Sequence, residues 1–418
     1  MVIITEEIDP PPDSSQQEQH SQFQRPQSDH LSNHNAPDFK NSPASRNPYF
    51  FRYSLSIAVA LLSIVILLPS LKELHDPPSS SFPHSLPAPL KLHYSKGMLI
   101  DLHINDRPIE IFKFESENSA DARETVVIVH GIGFSSFSFR ETVNVLGDKG
   151  VHAVAFDLPG HGFSKPLIEE TWEEGGLLDK LAGVYNLIKE KGVFWALETA
   201  IETGNLPYEE IESLSQRWKK VSKPSALGSD NLGKILGDLI EKLGLTPIHL
   251  VLHDSILSMA GKWVSENPSV IKSVTLLNPS SNPAMPLGFL KFPPLFSLVS
   301  RSDAAYGAMI RVCCGGGISD SDLSSHRVMF RNVGSSIIAM SKMDQGFELE
   351  DWGRSAGLKT MPLHVVWSRD WSSRWSDEVA EALPLAKFVS HFGGRWPNEE
   401  NSREIGDLLY DFVSSLRI

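Results

Sequence analysis

The chain of 418 residues has little basic charge, only two cysteines and no acceptor site for N-linked glycans. Its net charge of -13 at pH 7 argues against a nucleic-acid partner, because phosphate binding needs a basic face. The cysteines, Cys313 and Cys314, are neighbours, and a bridge between neighbours is strained, so we expect no disulfide framework. Proline excludes Asn278-Pro279-Ser280 as a glycan acceptor. These absences leave both sides of a membrane open to the chain.

Motifs for metals, phosphates and dinucleotides are also lacking. No Cys, His and Glu cluster has the spacing of a metal site. No Gly-x-Gly-x-x-Gly follows a strand with an acidic partner, and the glycine-rich segment 313–317 lacks the lysine of a phosphate loop. We therefore expect no metal and no cofactor.

One long uncharged run lies near the N-terminus. From Tyr53 to Leu71 no side chain is charged, and about 19 residues is a length that spans the hydrocarbon core of a bilayer. The run is too far from Met1 for an ordinary signal peptide. We therefore predict a single transmembrane signal anchor over residues 49–71. Positive residues favour its N-terminal side, which predicts a cytosolic N-terminus and a translocated C-terminal domain.

The segments around this anchor differ in composition. Residues 1–48 are rich in Pro, Ser, Gln, Asn and His, cannot bury enough apolar surface to fold, and are predicted to be a disordered cytosolic tail. Residues 72–92 are rich in Pro and Ser and are predicted to be a semi-rigid linker. Residues 93–418 remain, enough for one large domain with a single core and inserts.

Two apolar runs of this domain end in specific motifs. The run 125–129 is followed by His130-Gly131-Ile132-Gly133, and the run 151–156 leads into Asp157-Leu158-Pro159-Gly160-His161-Gly162-Phe163-Ser164. Unbroken apolar runs of this length are typical of buried strands. Both motifs resemble those of the α/β-hydrolase family, in which the first supplies a backbone amide to the oxyanion hole.

Further runs extend the resemblance over roughly residues 93–418. Apolar runs and helical patterns such as 230–243 alternate, which predicts an α/β fold with a parallel sheet and helices; the other runs are 248–252, 273–277, 363–367 and 387–391. Two stretches exceed what the sheet needs. We predict a helical insert at about 165–226 and, at the usual cap position, an irregular lid at 281–358 because of its Pro-rich start.

The nucleophile turn of this family follows a buried strand. Here the predicted strand 248–252 leads into Leu252-His253-Asp254-Ser255-Ile256, and this spacing puts Asp254 at the nucleophile position. Glycine is normal two residues before and two after it, because strand and helix backbones nearly touch there. Leu252 and Ile256 occupy these positions, so we expect a relaxed or displaced turn.

The base and acid positions are altered as well. The family carries a histidine after its last strand, and this chain reads Phe392-Gly393-Gly394-Arg395-Trp396-Pro397. Arg395 cannot act as a general base near neutral pH, because a guanidinium has a pKa above about 12. The nearest carboxylate for the acid position is Asp370, one residue early for the usual spacing. An ester formed on Asp254 would then be a dead end.

Other polar residues near these positions are interpreted as structural and not as catalytic. His130 is assigned to the packing of its loop, and strand alternation points His253 away from Asp254. Ser255 would be the nucleophile only if the turn slipped by one residue, which would turn the strand inside out. His391 is predicted to be a satisfied sheet residue. No catalytic residue is expected; the vestigial positions are Asp254, Arg395 and Asp370, with His130 and Gly131 in the oxyanion loop.

The nucleophile and base positions should face each other at one end of the sheet. A lone carboxylate in a dry pocket carries a large desolvation penalty, whereas a guanidinium can bind it through two hydrogen bonds. We therefore predict an ion pair between Asp254 and Arg395 that closes the old site. Removing one partner of a buried pair costs about 3–5 kcal/mol.

A second resemblance comes from insert positions. Together with Asp254 and Arg395, the segments 191–196 (KGVFWA) and 206–210 (LPYEE) are similar to the plant Auxin Response Four family of endoplasmic-reticulum membrane proteins. That resemblance implies a non-catalytic accessory role in folding, export and polar plasma-membrane targeting of the auxin influx carrier, with the hydrolase-like domain in the lumen. The residues leave an alternative: a membrane-anchored ester or thioester hydrolase, such as a protein deacylase, using Asp254.

Overall fold

The computed structural model describes residues 86–105, 107–117, 122–173, 219–224, 228–288, 292–341, 346–369 and 374–416. The predicted tail, the anchor at 49–71 and most of the linker lie outside these ranges. Within the ranges no helix combines the length and the apolar character needed to cross a membrane. The anchor therefore remains a prediction.

An eight-stranded sheet forms the centre of the described structure, in the order β1-β2-β4-β3-β7-β8-β9-β10. The six predicted strands are present and pair in parallel. Two N-terminal strands, β1 and β2, were not predicted. They pair antiparallel with each other, and β2 pairs antiparallel with β4, so they extend one edge of the sheet. The strands are β1 (Met98–Ile104), β2 (Arg107–Glu115), β3 (Thr125–Val129), β4 (His152–Phe156), β7 (Ile248–His253), β8 (Ile271–Leu277), β9 (Leu363–Ser368) and β10 (Lys387–His391).

Helices connect these strands and cover the sheet. The predicted helix over 230–243 is present as α3 (Ser229–Lys242), with its buried residues at helical spacing. The others are α1 (Ala88–Lys96), α2 (Arg140–Asp148), α4 (Leu257–Glu266), α5 (Pro293–Arg301), α6 (Asp303–Cys313), α7 (Asp320–Ser341), α8 (Leu349–Gly353), α9 (Arg374–Ala382), α10 (Pro397–Glu400) and α11 (Ser402–Ser415).

The central strands of the sheet are buried on both faces. Along β3, Val127 and Val129 belong to one hydrophobic cluster, while Val126 and Ile128 belong to another. Successive side chains of a strand point to opposite faces, so the two clusters are the two sides of the sheet. A strand with no polar face explains why the sequence shows an unbroken apolar run here.

The first insert differs from the helical insert that was predicted. Its described ends form two antiparallel strands, β5 (Ile168–Glu173) and β6 (Lys219–Pro224). Residues 174–218 and 225–227 lie outside the described structure. At these two ends the prediction of helices was wrong. For the centre of the insert it stays a prediction.

The lid was predicted to be irregular, and that prediction was wrong. The described part of residues 293–353 contains the four helices α5 to α8. Pro293 and Pro294 begin α5, where a missing amide hydrogen costs nothing. Tyr306 and Ile310 of α6 are buried one helical turn apart, with Phe330 of α7 against the Tyr306 ring. The proline-rich start therefore introduces a helical cap.

The two cysteines form a bridge with each other, which the expectation of no disulfide framework did not include. The bond joins Cys313 at the end of α6 to Cys314, the residue that follows. Because the partners are neighbours in sequence, the bridge links no distant segments. Most of the fold therefore depends on packing and hydrogen bonds, as the sequence suggested.

Candidate functional site

The nucleophile turn keeps its strained geometry despite its bulky flanks. Asp254 follows β7 with φ of 57°, the left-handed conformation of the nucleophile in this type of turn. Leu252 and Ile256 are buried in the main core on either side of it. A relaxed or displaced turn was therefore the wrong expectation. Gly131 lies so close that an added Cβ would be 2.7 Å from the Cβ of Asp254.

The Asp254 carboxylate is buried and already bonded. The backbone amide of Ala284 donates to both of its oxygens, at 3.1 and 2.9 Å. Burial raises the pKa of Asp254 to about 6; hydrogen bonding by the Ala284 amide, the Arg395 charge and Ser255 oppose this rise. The carboxylate is therefore mostly ionised at pH 7. Among the described residues no histidine hydrogen-bonds to it.

Arg395 makes the predicted contact with Asp254. Its Nη2 lies 3.4 Å from Asp254 Oδ1, and the arginine side chain is 23% exposed while the aspartate is 1% exposed. The same nitrogen donates to Ser280 Oγ at 3.2 Å and to Asn282 O at 3.3 Å. It therefore also holds residues 280–284, which we call the strap. The guanidinium was predicted to bind the carboxylate through two hydrogen bonds. Instead, the donor that reaches both carboxylate oxygens is the Ala284 amide of the strap.

Backbone contacts fix the loop that carries Arg395. Glu400 accepts hydrogen bonds from the amides of Gly394 at 2.6 Å and Gly317 at 2.8 Å. The Trp396 amide donates to Cys314 O at 3.0 Å. The loop is thus tied to the bridged end of α6, and the position of Arg395 depends on the cap.

Asn278 joins the ends of three strands and was missed in the sequence. It follows β8 with φ of 47°. Its Oδ1 accepts from the Ser368 amide at 2.9 Å and bonds His391 Nε2 at 3.0 Å, and its Nδ2 donates to Gly394 O at 3.1 Å. His391 is therefore the sheet residue that was predicted. Asparagine directly after a strand was the available signal, because it tolerates positive φ.

The amides of the oxyanion loop are engaged within the protein. The Gly131 amide donates to His253 Nδ1 at 3.4 Å, and the Gly133 amide donates to His161 Nε2 at 3.2 Å. Burial lowers the pKa of His253 to about 3 and that of His161 to about 4, so both rings are neutral acceptors. The second donor of an oxyanion hole, the amide after the nucleophile, belongs to Ser255, a residue that helps to lower the pKa of the Asp254 carboxyl.

His130 has the packing role that was predicted for it. Its Nδ1 lies 2.8 Å from Gly131 O, and its Nε2 accepts the Leu158 amide at 3.0 Å. Burial lowers the pKa of His130 well below its usual value. The neutral ring therefore joins the oxyanion loop to the segment after β4.

Asp157 organises that segment. Its carboxylate accepts the amides of Ser136 at 2.6 Å and Phe163 at 2.7 Å, and burial raises its pKa to about 6. An added Cβ at Gly162, where φ is 53°, would overlap this carboxylate. The motif from Asp157 to Ser164 therefore folds around its own first residue.

A second buried charge cluster joins the cap to the sheet domain. Glu399, with its side chain 3% exposed, lies 2.7 Å from Arg140 Nη1 and 2.8 Å from His326 Nε2. Arg140 Nη2 also lies 2.8 Å from Asp322 Oδ1. No sequence motif indicates this cluster, because its members are distant along the chain.

The remaining expectations concern the acid position and metals. Asp370 lies outside the described residues, so its place relative to Asp254 stays a prediction. Within the described ranges no group of His, Cys, Asp or Glu side chains could hold a metal ion.

Comparisons with known proteins agree on the fold. A family model described as alpha/beta hydrolase fold matches residues 124–308. Among solved structures, a bacterial membrane phospholipase A is 13% identical with a TM-score of 0.51, covering 89% of this chain and 99% of its own. A candidate lipase from Acinetobacter baumannii is 15% identical with a TM-score of 0.53, covering 81% and 98%. A candidate aryl esterase from Burkholderia cenocepacia is 11% identical with a TM-score of 0.51, covering 76% and 99%.

Likeness at such low identity shows the fold alone. The family model covers less than half of the chain, so together with the motifs at His130 and Asp157 these comparisons show an α/β-hydrolase fold.

Proposed function

We propose that this chain is a non-catalytic member of the α/β-hydrolase superfamily that acts as a membrane accessory protein. The observation that carries the proposal is the state of the nucleophile position. Asp254 is buried and bonded to the Ala284 amide and the Arg395 guanidinium. Among the described residues, no histidine is hydrogen-bonded to this carboxylate that could activate the water needed to release an aspartyl ester.

The surrounding groups support the same proposal. An oxyanion hole needs amides aimed at the developing charge. Here the Gly131 and Gly133 amides face neutral imidazoles instead. A substrate would have to displace these contacts and the strap before it reached Asp254.

The accessory role comes from the resemblance to the plant Auxin Response Four family. We propose that the chain assists the folding and export of the auxin influx carrier from the endoplasmic reticulum, and hence its polar targeting to the plasma membrane. The predicted anchor would hold the chain in that membrane with its N-terminus in the cytosol. The hydrolase-like domain would then lie in the lumen.

A rescue experiment tests the non-catalytic part. In a plant line lacking the protein, we expect Asp254→Ala at normal abundance to restore carrier delivery to the plasma membrane as fully as the unaltered chain does. The matched control is Asp230→Ala, which removes an exposed carboxylate. Loss of delivery with Asp254→Ala alone, at equal protein level, would show that the role depends on this carboxylate.

Protease protection tests the proposed topology. In sealed microsomes we expect a tag at the C-terminus to survive added protease and a tag at Met1 to be removed. Detergent should then expose the C-terminal tag. The opposite pattern would place the domain in the cytosol and contradict the lumenal assignment.

One observation favours a second candidate, the membrane-anchored ester or thioester hydrolase. The nucleophile turn keeps its strained φ, with Gly131 against Asp254. This candidate predicts turnover of acyl ester or acyl thioester substrates that disappears in Asp254→Asn. We expect no difference between the purified wild-type chain and that variant. A reproducible Asp254-dependent rate would sink the non-catalytic proposal.

A further inference from the structure

Exposed apolar side chains cluster where the described structure begins. On α1, Leu92 is 58% exposed; at the start of β1, Met98 and Leu99 are 57% and 42% exposed. Lys91, beside Leu92, is exposed as well. We call these four residues the α1–β1 corner.

The other face of α1 is packed against the domain. Leu90 and His93 are the buried residues of α1. The His93 ring lies 4.5 Å from the ring of Phe114 between centroids, and His93 Nε2 lies 3.1 Å from Ser136 Oγ. Because this face of the helix is fixed against the domain, Leu92 stays on the outside. β1 is the edge strand of the sheet, so it has a neighbour on one side only.

The chain outside the described residues indicates what covers this corner. The uncharged run ends at Leu71, and the description begins at Leu86, five residues before Lys91. Residues 72–85 span at most about 50 Å when fully extended. A domain held this close to a bilayer needs only weak affinity for its surface, because the tether makes the contact intramolecular.

We propose that the α1–β1 corner lies against the lipid surface in which the chain is anchored, with Leu92 and Leu99 in the interfacial region and Lys91 among the headgroups. Apolar side chains beside a lysine are a combination that binds at the boundary between headgroups and acyl chains. The contact would fix how the domain faces the membrane. It rests on the anchor of the proposed function but not on the absence of catalysis or on the carrier.

Fluorescence in lipid nanodiscs tests the contact. The full chain is reconstituted with phosphatidylcholine and phosphatidylserine, and a polarity-sensitive probe is attached at Leu92→Cys or, separately, at Leu99→Cys. The matched control is Leu385→Cys, which is 82% exposed and precedes β10 at the opposite edge of the sheet. Eight strands put these edges about 34 Å apart. The unaltered chain measures any labelling of Cys313 and Cys314.

We expect blue-shifted emission at positions 92 and 99, and loss of that emission when nitroxide-labelled phosphatidylcholine is added. The probe at position 385 should show neither change. Emission at 92 and 99 that resembles position 385 would overturn the proposal. So would a blue shift that nitroxide lipid does not quench, which would assign the corner to the linker or to a second copy.

Alkaline extraction of the same preparations distinguishes failure of the anchor. If the chain leaves the membrane, both the anchor and the corner contact are wrong. If it stays and the probes at 92 and 99 are not quenched, the corner contact alone is wrong and the anchor of the proposed function stands.

Discussion

Asp157 and Asp254 are both buried carboxylates that follow parallel strands, and burial raises the pKa of each to about 6. Their partners differ. Asp157 accepts two amides, from Ser136 and from Phe163 in its own motif. Asp254 is contacted by the strap and by Arg395, which belong to segments far along the chain.

The difference separates structural from chemical requirements. The Asp157 side keeps its hydrolase motif, and each contact there joins loops that the fold needs. On the Asp254 side the backbone turn remains, but the groups that reach the carboxylate are an arginine and a backbone amide. The fold is therefore compatible with losing the base, because other hydrogen bonds satisfy the buried carboxylate.

Of the changes considered, acidification should lower the free energy of unfolding the most. Burial lowers the pKa of five histidines, so their contribution to stability is present above their unfolded pKa of about 6.5 and is lost as pH falls; they are His93, His130, His161, His253 and His364. The two aspartates have raised pKa values, so they oppose this loss. Five histidines outweigh two aspartates, and we expect the free energy of unfolding to fall by about 5 kcal/mol from pH 7 to pH 5.

Urea titrations of the detergent-solubilised chain at several pH values measure this fall. A stability that is constant or rises toward pH 5 would show that the aspartates dominate.

Asp157→Ala should have the next largest effect. It leaves the Ser136 and Phe163 amides buried without their acceptor, and we expect a loss of about 4 kcal/mol. The urea midpoint at pH 7 measures it, with Asp230→Ala as the exposed control that should leave the midpoint unchanged. If Asp254→Ala destabilised the chain as much as Asp157→Ala, the proposed difference between the two sides would fail.

Ile256→Ala tests whether the altered turn has become part of the core. Ile256 is fully buried at a position where the family has glycine, so the truncation should cost about 3 kcal/mol through lost packing and a cavity. Thermal unfolding measures this cost, and Val312→Ala, at a 90% exposed position, is the control. A neutral Ile256→Ala would mean that the side chain merely tolerates its position.

Arg395→Ala should have the smallest effect. Its side chain is 23% exposed, so solvent screens the ion pair, and the Ala284 amide would still bind Asp254. We therefore expect about 1–2 kcal/mol, less than the 3–5 kcal/mol for a fully buried pair. Arg354→Ala, an exposed arginine, controls for loss of surface charge. Equal urea midpoints for the two variants would remove any structural role for Arg395.

Much of the sheet could be predicted because its central strands are buried on both faces. The apolar runs at 125–129 and 248–252 predicted strands without knowledge of their neighbours in the sheet, and both are strands. β1 and β2 were missed because each has exposed positions and neither ends in a motif. The cap was misjudged because prolines were taken as breakers, whereas two of them begin a helix.

The sequence by itself determined which residues stand at the nucleophile and base positions, because motif spacing and the strand period fix them. That Arg395 would contact Asp254 also followed, since parallel strands bring their carboxyl ends together. Only the tertiary structure decided that the Ala284 amide binds the carboxylate and that imidazoles take the oxyanion-loop amides. Backbone groups have no sequence signature, and their partners depend on how segments between 28 and 122 residues apart pack together.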